Sequence, residues 1–282
     1  MSEISLDSLL PPEMAVKAEA IGLKKATMNT TNLVLLAVLA GAYIGIGAIF
    51  STLTAAGSEA LPYGVARMLI GLAFTIGLIL VVVGGAELFT GNALITMAFA
   101  AKKVTLAQLL SNWAIVYFGN FIGAVLTVVI VFASGHYKFG HGAVGLTALN
   151  IANAKVNFTF VEALALGMMC NALVCMAVWL CYSARTTTDK IMAIIPPITC
   201  FVAAGFEHSV ANMYFIPMGL LIKAFGSPDF FETIGKTAAD FPNLTWSNFL
   251  IGNLVPVTIG NIIGGGIMVG LVYWFIYSRK TS

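Results

Sequence analysis

Six long apolar stretches, at residues 32–53, 64–101, 106–134, 160–183, 191–221 and 246–277, take up most of this 282-residue chain. Each is long enough to cross the roughly 30 Å hydrocarbon core of a bilayer, which takes a helix of about 20 residues. The second is too long for one crossing, because about 38 residues rising 1.5 Å each would reach roughly 57 Å if continuous. A single straight helix is excluded there, and the interruption is expected at residues 84–92, which hold Gly84, Gly85 and Gly91. The fifth stretch is expected to break at residues 205–212, downstream of Pro196 and Pro197. Backbone that leaves a helix at membrane depth is tolerated only where protein buries it or where it lines a wet cavity. Both breaks therefore belong in the interior.

The two breaks carry one motif. Gly85, Glu87 and Asn92 recur as Gly205, Glu207 and Asn212, giving G-x-E-x-x-x-x-N twice. Each copy is followed by a second shared run, Gly119-Asn120-Phe121-Ile122-Gly123 and then Gly260-Asn261-Ile262-Ile263-Gly264. Two motifs in the same order imply an internal repeat. With three crossings in each half, the second half starts from the opposite face, so the repeat is inverted. Repeated halves with Gly-interrupted apolar segments at corresponding positions point to a substrate path near the bilayer midplane. The expected fold is an all-α integral membrane protein of six transmembrane helices in two inverted repeats, with the second and fifth helices broken.

Composition agrees, since 59% of residues are hydrophobic and 9% are charged, against about 25% charged in soluble domains. The first apolar stretch follows a polar leader with acidic and basic residues rather than a short basic region, so no cleaved signal is expected. Residues 1–30 are read as a cytoplasmic N-terminal segment of a single channel domain spanning 1–282. Within it Pro11 and Pro12, followed by Met14, Ala18 and Ile21 at helical spacing, predict a short helix lying at the membrane interface over 11–27. Nine of the 14 Lys and Arg residues (Lys17, Lys24, Lys25, Lys102, Lys103, Arg185, Lys190, Arg279 and Lys280) fall on the side of the termini. The positive-inside rule places that side in the cytoplasm. A net charge of +2 without a basic run offers nucleic acid no phosphate-binding patch. Cys170, Cys175, Cys181 and Cys200 sit in or beside apolar segments as small hydrophobes. Their spacing gives neither a metal site nor a disulfide framework.

Glu87 and Glu207 are costly, since a charge near the bilayer centre is disfavoured by about 2.5–3.5 kcal/mol on insertion scales. Either they form a proton or cation site, or each carboxylate accepts backbone N–H groups freed by the break, as a helix cap does. Their shared repeat position favours the second role. Asn92 and Asn212 fit the same role, tying broken backbone to a neighbouring helix. Asn120 and Asn261, inside Gly-x-x-x-Gly spacings, are expected to serve close helix packing.

His208 is different, because its repeat counterpart is Leu88. An imidazole with a reference pKa near 6.5 can change protonation with its occupant. Thr90, in the facing loop, offers a hydroxyl to a bound anion or to the imidazole. Half-helices whose N-termini face the midplane from opposite sides would favour a small anion. Phe74, Leu78 and Phe201 precede the breaks at positions suited to apolar constrictions.

With these residues in place, the chain resembles the formate/nitrite transporter family, and within it the bacterial formate channels, over nearly its whole length. The resemblance is carried by the run from Gly84 to Asn92, by Cys170-Asn171-Ala172-Leu173-Val174-Cys175, and by Gly205-Phe206-Glu207-His208-Ser209-Val210-Ala211-Asn212-Met213. It implies an aquaporin-like six-helix protomer and a homopentamer with one pore per protomer in the bacterial inner membrane. It implies passage of formate and related small monovalent anions such as nitrite, acetate or lactate, without enzymatic activity, cofactor or metal. It further implies that His208 and Thr90 form the central site and that Asn171 adds a polar contact. Phe74, Leu78, Phe89, Val174 and Phe201 would line the slits, and Lys155 would stand near the outer vestibule.

Other classes fit less well. A membrane redox enzyme would need paired haem-ligating histidines, but His136 and His141 fall in the loop after the third stretch, leaving His208 alone in the membrane. A water or glycerol channel would carry Asn-Pro-Ala twice, where this chain has Gly91-Asn92-Ala93 and Ala211-Asn212-Met213. A nitrite- or hydrosulfide-selective channel of the same family and a neutral-solute channel remain alternatives, as do channel-like and proton-coupled passage.

Overall fold

A computed structural model describes residues 8–279. Lys280 and residues 1–7 of the N-terminal segment lie outside the described residues. The chain is helical, and six of its helices are long and apolar enough to cross a membrane. These are α2 (Thr30–Ala55), α3 (Tyr63–Gly84), α5 (Leu106–Ala133), α7 (Phe160–Ser183), α8 (Thr187–Ala204) and α11 (Asn248–Tyr277). The half-helices α4 (Phe89–Ala100) and α9 (Ser209–Phe225) complete the broken second and fifth crossings. At its far end α9 turns through 109° into the short α10 (Pro228–Ile234). Two shorter helices, α1 (Pro11–Ala26) and α6 (Ala143–Val156), lie outside these crossings.

Both breaks fall where the repeated motif stands, and for one reason. Gly85 and Gly205 adopt φ of +85° and +79°, the left-handed conformation that ends a helix and that a Cβ disfavours. The amides of Gly85 and Ala86 both turn back to the Val81 carbonyl, which closes α3. The repeat then pairs α2 with α5 and α7 with α11. Gly123 and Gly264 let these pairs approach closely, since a Cβ at Gly123 would run into the Val38 carbonyl and one at Gly264 into the Met168 carbonyl. Parts of α11, Asn248–Leu254 and Ile262–Leu271, are wound in the wider π form. This leaves carbonyls free for side chains, and Thr96 Oγ1 donates to the Gly266 carbonyl at 3.0 Å.

The sequence reading leaves out two features, the packing of α1 and the helix α6. The helix α1 forms over Pro11–Ala26, and one of its faces packs on the rest of the protein. Met14, Ala15 and Ala18 are buried against Leu94, Met97 and Trp179, and Glu19 pairs with Lys103 at 2.7 Å. It also packs near Tyr273 and Trp274 at the end of α11, so the two ends of the described chain share a face. The helix α6 has no counterpart among the six apolar stretches. It packs on α9 and on the start of α11, at the opposite face, where it occupies the place in the second half that α1 takes in the first. Too short and too polar to span, it gave no hydropathy signal.

These close approaches give a stability test. Gly123→Ala should destabilise the protein in detergent by about 1–3 kcal/mol, because the clash is with backbone of a packed helix. Gly64→Ala, where an added Cβ would meet nothing within 4 Å, should stay within about 0.5 kcal/mol of wild type. Thermal unfolding that does not separate the two variants would contradict the packing described.

Candidate functional site

Each break frees backbone groups, and one asparagine collects them. The Asn120 carboxamide accepts the Phe89 N–H at 2.9 Å and donates to the Ala37 and Glu87 carbonyls at 2.7 and 3.0 Å. Asn261 does the same in the second half, accepting the Ser209 N–H at 2.9 Å and donating to the Gly167 and Glu207 carbonyls at 2.8 and 3.0 Å. Both are fully buried. The glycines around them make the close packing expected of the motif, while the asparagines themselves hold the loops.

The carboxylates do not take backbone amides as a cap would, which corrects the sequence expectation. Glu87 receives the Lys25 ammonium at 2.8 Å and the Asn92 amide at 2.8 Å. Asn92 also donates to Asn112 Oδ1 at 2.9 Å, and Asn112 donates to the Lys25 carbonyl at 3.0 Å. In the second half Lys155 reaches Glu207 at 2.7 Å, Asn212 donates to Glu207 and to Asn253 at 2.7 Å each, and Asn253 donates to the Lys155 carbonyl at 2.8 Å. The two networks match member for member. Lys25, Asn112 and Asn253 were missed as members. The repeat held the signal, but the lysines stand 62 and 52 residues before their glutamates, and unequal insertions hide the correspondence.

His208 is the residue preceding α9, and its side chain caps that helix. The Ala211 N–H donates to Nδ1 at 3.0 Å, and Nε2 lies 3.0 Å from Thr90 Oγ1. An Nδ1 that accepts carries no proton, so in the neutral ring the proton sits on Nε2 and is donated to the Thr90 oxygen. The Thr90 hydroxyl hydrogen is then left for another acceptor. A proton added at Nδ1 would displace the Ala211 bond. The Phe201 ring stacks on the imidazole, with centroids 5.9 Å apart.

Two cavities approach this pair from opposite faces. The inner one, about 270 Å³ on the face shared by the chain ends, is lined by Leu78, Glu87, Leu88 and Gly91 among others. The outer one, about 230 Å³, is lined by Phe74, Lys155, Phe201 and His208 among others. Thr90 is fully buried between the inner lining residues Leu88 and Gly91 and its partner His208. Three residues expected along the path stand back from both cavities. Phe89 packs its ring on Tyr117 at 4.9 Å, and its neighbour Leu88 takes the lining position. Val174 is buried in the core. Asn171 gives its polar contact to the backbone of α4 and α11, donating to the Thr90 and Asn261 carbonyls at 3.2 and 2.7 Å. Among the lining residues that were missed is Phe215, which stacks on Phe74 at 6.4 Å and lies under the Lys155 ammonium at 5.3 Å.

An inverted-repeat membrane protein with two half-helices and a buried polar pair between opposed vestibules is a transport protein by architecture. The family model described as "Formate/nitrite transporter" matches residues 12–275. The chain is 47% identical to the formate channel FocA of Escherichia coli strain K12 over 276 residues, covering 98% of this chain and 97% of that one. It is 39% identical to the formate channel FocA of Haemophilus influenzae, covering 95% of each. Among solved structures, a pentameric formate channel with formate bound superposes with a TM-score of 0.85 at 46% identity, covering 91% of this chain and 99% of that one. The chain belongs to the formate/nitrite transporter family.

Two measurements check the site. With His136 and His141 replaced, ¹⁵N shifts at neutral pH should report an Nε2-protonated, neutral His208, and an Nδ1-protonated ring would overturn the cap. Glu207→Ala should destabilise the protein by roughly 3–5 kcal/mol, because it strands a buried ammonium. Removing both charges with Glu207→Gln and Lys155→Met should recover part of that loss, and a double variant no more stable than the single would show that the pair is not coupled.

Proposed function

We propose that each protomer passes formate, and related small monovalent anions such as nitrite, acetate or lactate, between its two vestibules. Five protomers assemble, each with its own path, and the whole chain acts as one channel domain. The observation that carries this reading is the Thr90–His208 pair at the meeting of the two cavities, with a hydroxyl hydrogen free to donate. The formate channels at 47% and 39% identity, and the solved pentamer with formate bound, support it. The protein moves its substrate without altering covalent bonds. Its location is the bacterial inner membrane, with both termini in the cytoplasm on the strength of the Lys and Arg distribution.

An anion leaving a vestibule must shed water against Phe74 and Phe201 on one side or Leu78 and Leu88 on the other. A small monovalent ion loses far less hydration energy there than a divalent one. Thr90 replaces part of the lost water with a charge-assisted hydrogen bond, worth about 1.5–3 kcal/mol. His208 acts as a neutral donor that polarises the hydroxyl, a cooperative effect of linked hydrogen bonds. The N-terminus of α9 at His208 adds a positive partial charge. Asn171 ties down the first turn of α4, which presents Thr90. The networks of Glu87 with Asn92 and Glu207 with Asn212 stabilise the loops, and Lys155 adds positive potential to the outer vestibule.

In proteoliposomes, formate flux should greatly exceed that of sulfate or sodium, and comparable sulfate flux would sink the filter argument. Nitrite or hydrosulfide flux well above that of formate would move the assignment to another branch of the family. Thr90→Val should lower formate flux roughly tenfold or more at every pH, as loss of one charge-assisted bond requires. Thr90→Ser, which keeps the hydroxyl, should retain most of it. Fluxes normalised to assembled pentamer that are equal in all three would exclude a role for the hydroxyl.

A further inference from the structure

The two vestibules share the Lys–Glu network but differ in their remaining cations. In the outer one, Arg67 donates to the Ala203 and Val202 carbonyls at 2.9 and 2.7 Å, and Lys155 is held by Glu207 at 2.7 Å. Every cation there is engaged. The inner vestibule adds Lys17 and Lys190 to the Lys25–Glu87 pair. Among the described residues Lys17 makes one hydrogen bond, to the Tyr182 carbonyl at 2.7 Å, which leaves two of its N–H groups without a partner there. The half-buried Lys190 ammonium makes no hydrogen bond or ion pair among the described residues.

Among the described residues no nearby carboxylate is available to them. Glu87 is committed to Lys25 and Asn92, and Asp189 turns away to accept the Arg185 and Thr186 amides at 3.0 and 2.9 Å. Three ammonium groups thus line one cavity against one carboxylate, an excess of two positive charges. Burial, and then the charges of Arg185 and Lys190, hold the Lys17 pKa below the usual lysine value. These cations crowd one another, and an anion between them would relieve the repulsion.

We propose that Lys17 and Lys190 form a binding site for a divalent oxoanion in the inner vestibule, and that a dianion seated there blocks the path. A dianion balances the excess charge, and its hydration keeps it from following formate through the apolar slit. The blocking half of this proposal rests on the transport reading above, whereas the binding half does not.

Sulfate is a suitable probe because it stays divalent throughout the working pH range. Radiolabelled sulfate should bind the purified full-length protein saturably. In vesicles sorted by which face an N-terminal tag occupies, sulfate on the tag side should inhibit formate flux more than choline chloride of equal ionic strength. Sulfate on the other side should not. Lys190→Gln should weaken both binding and block by roughly tenfold or more, the loss of one charged contact, while Lys190→Arg should retain them. Block of equal strength from both faces, block matched by choline chloride, or block and binding unchanged in Lys190→Gln would each overturn the site. If Lys190→Gln fails to assemble, the sidedness of wild type and Lys190→Arg decides in the same way. Formate flux without sulfate is the separate control. Saturable, Lys190-dependent binding with no formate flux would leave the site standing and sink the transport reading.

Discussion

The structure depends on a single constraint, that peptide groups freed where a helix breaks inside the membrane have no water to satisfy them. Each such group costs about 1–3 kcal/mol if left unpaired when buried. The chain meets this twice with the same device. A left-handed glycine ends the first half of the crossing, and an asparagine from a neighbouring helix, Asn120 or Asn261, accepts one freed amide and donates to two carbonyls. Because both asparagines sit between glycines of a close helix contact, the packing of α5 on α2 and of α11 on α7 also fixes the loops. Packing and polar satisfaction are therefore one arrangement, and neither can loosen without the other.

Around each loop the carboxylate network adds a second tie. Glu87 and Glu207 lie at interior depth, and each draws its lysine from a helix that does not cross the membrane, α1 or α6. These two helices close the inner and outer vestibules from opposite faces and carry charge to where the broken crossings need it. Buried ion pairs of this kind add little net stability over an apolar substitute, but breaking one is costly. They specify one arrangement of helix, loop and vestibule.

Function resides where the symmetry lapses. Leu88 and His208 occupy equivalent positions before the two half-helices, and only His208 has a side chain that caps its helix and reaches the opposite loop. The same is true of the vestibules. Both hold a Lys–Glu pair, yet among the described residues only the inner one carries, in Lys190, an ammonium with no hydrogen bond or ion pair. An inverted repeat builds a scaffold that is the same from both sides, and departures from it give the path a distinct centre and two unlike mouths.

By itself the sequence determined the number of crossings, the two breaks and the inverted repeat, because bilayer thickness, helical rise and the conformation of glycine leave few other solutions. It also singled out His208 and Thr90, the first by its mismatch with Leu88. It did not reveal that Lys25 pairs with Glu87, that Asn112 and Asn253 close the networks, that Leu88 rather than Phe89 lines the inner cavity, or that Phe215 lines the outer one. Those facts depend on which way a side chain points from an irregular loop and on contacts between residues more than 50 positions apart. The helix α6 was hidden for a related reason, since a short helix with polar residues leaves no mark in hydropathy and is held by what it packs against. Local chemistry is written residue by residue along the chain, whereas partners across the molecule are chosen only when the helices pack.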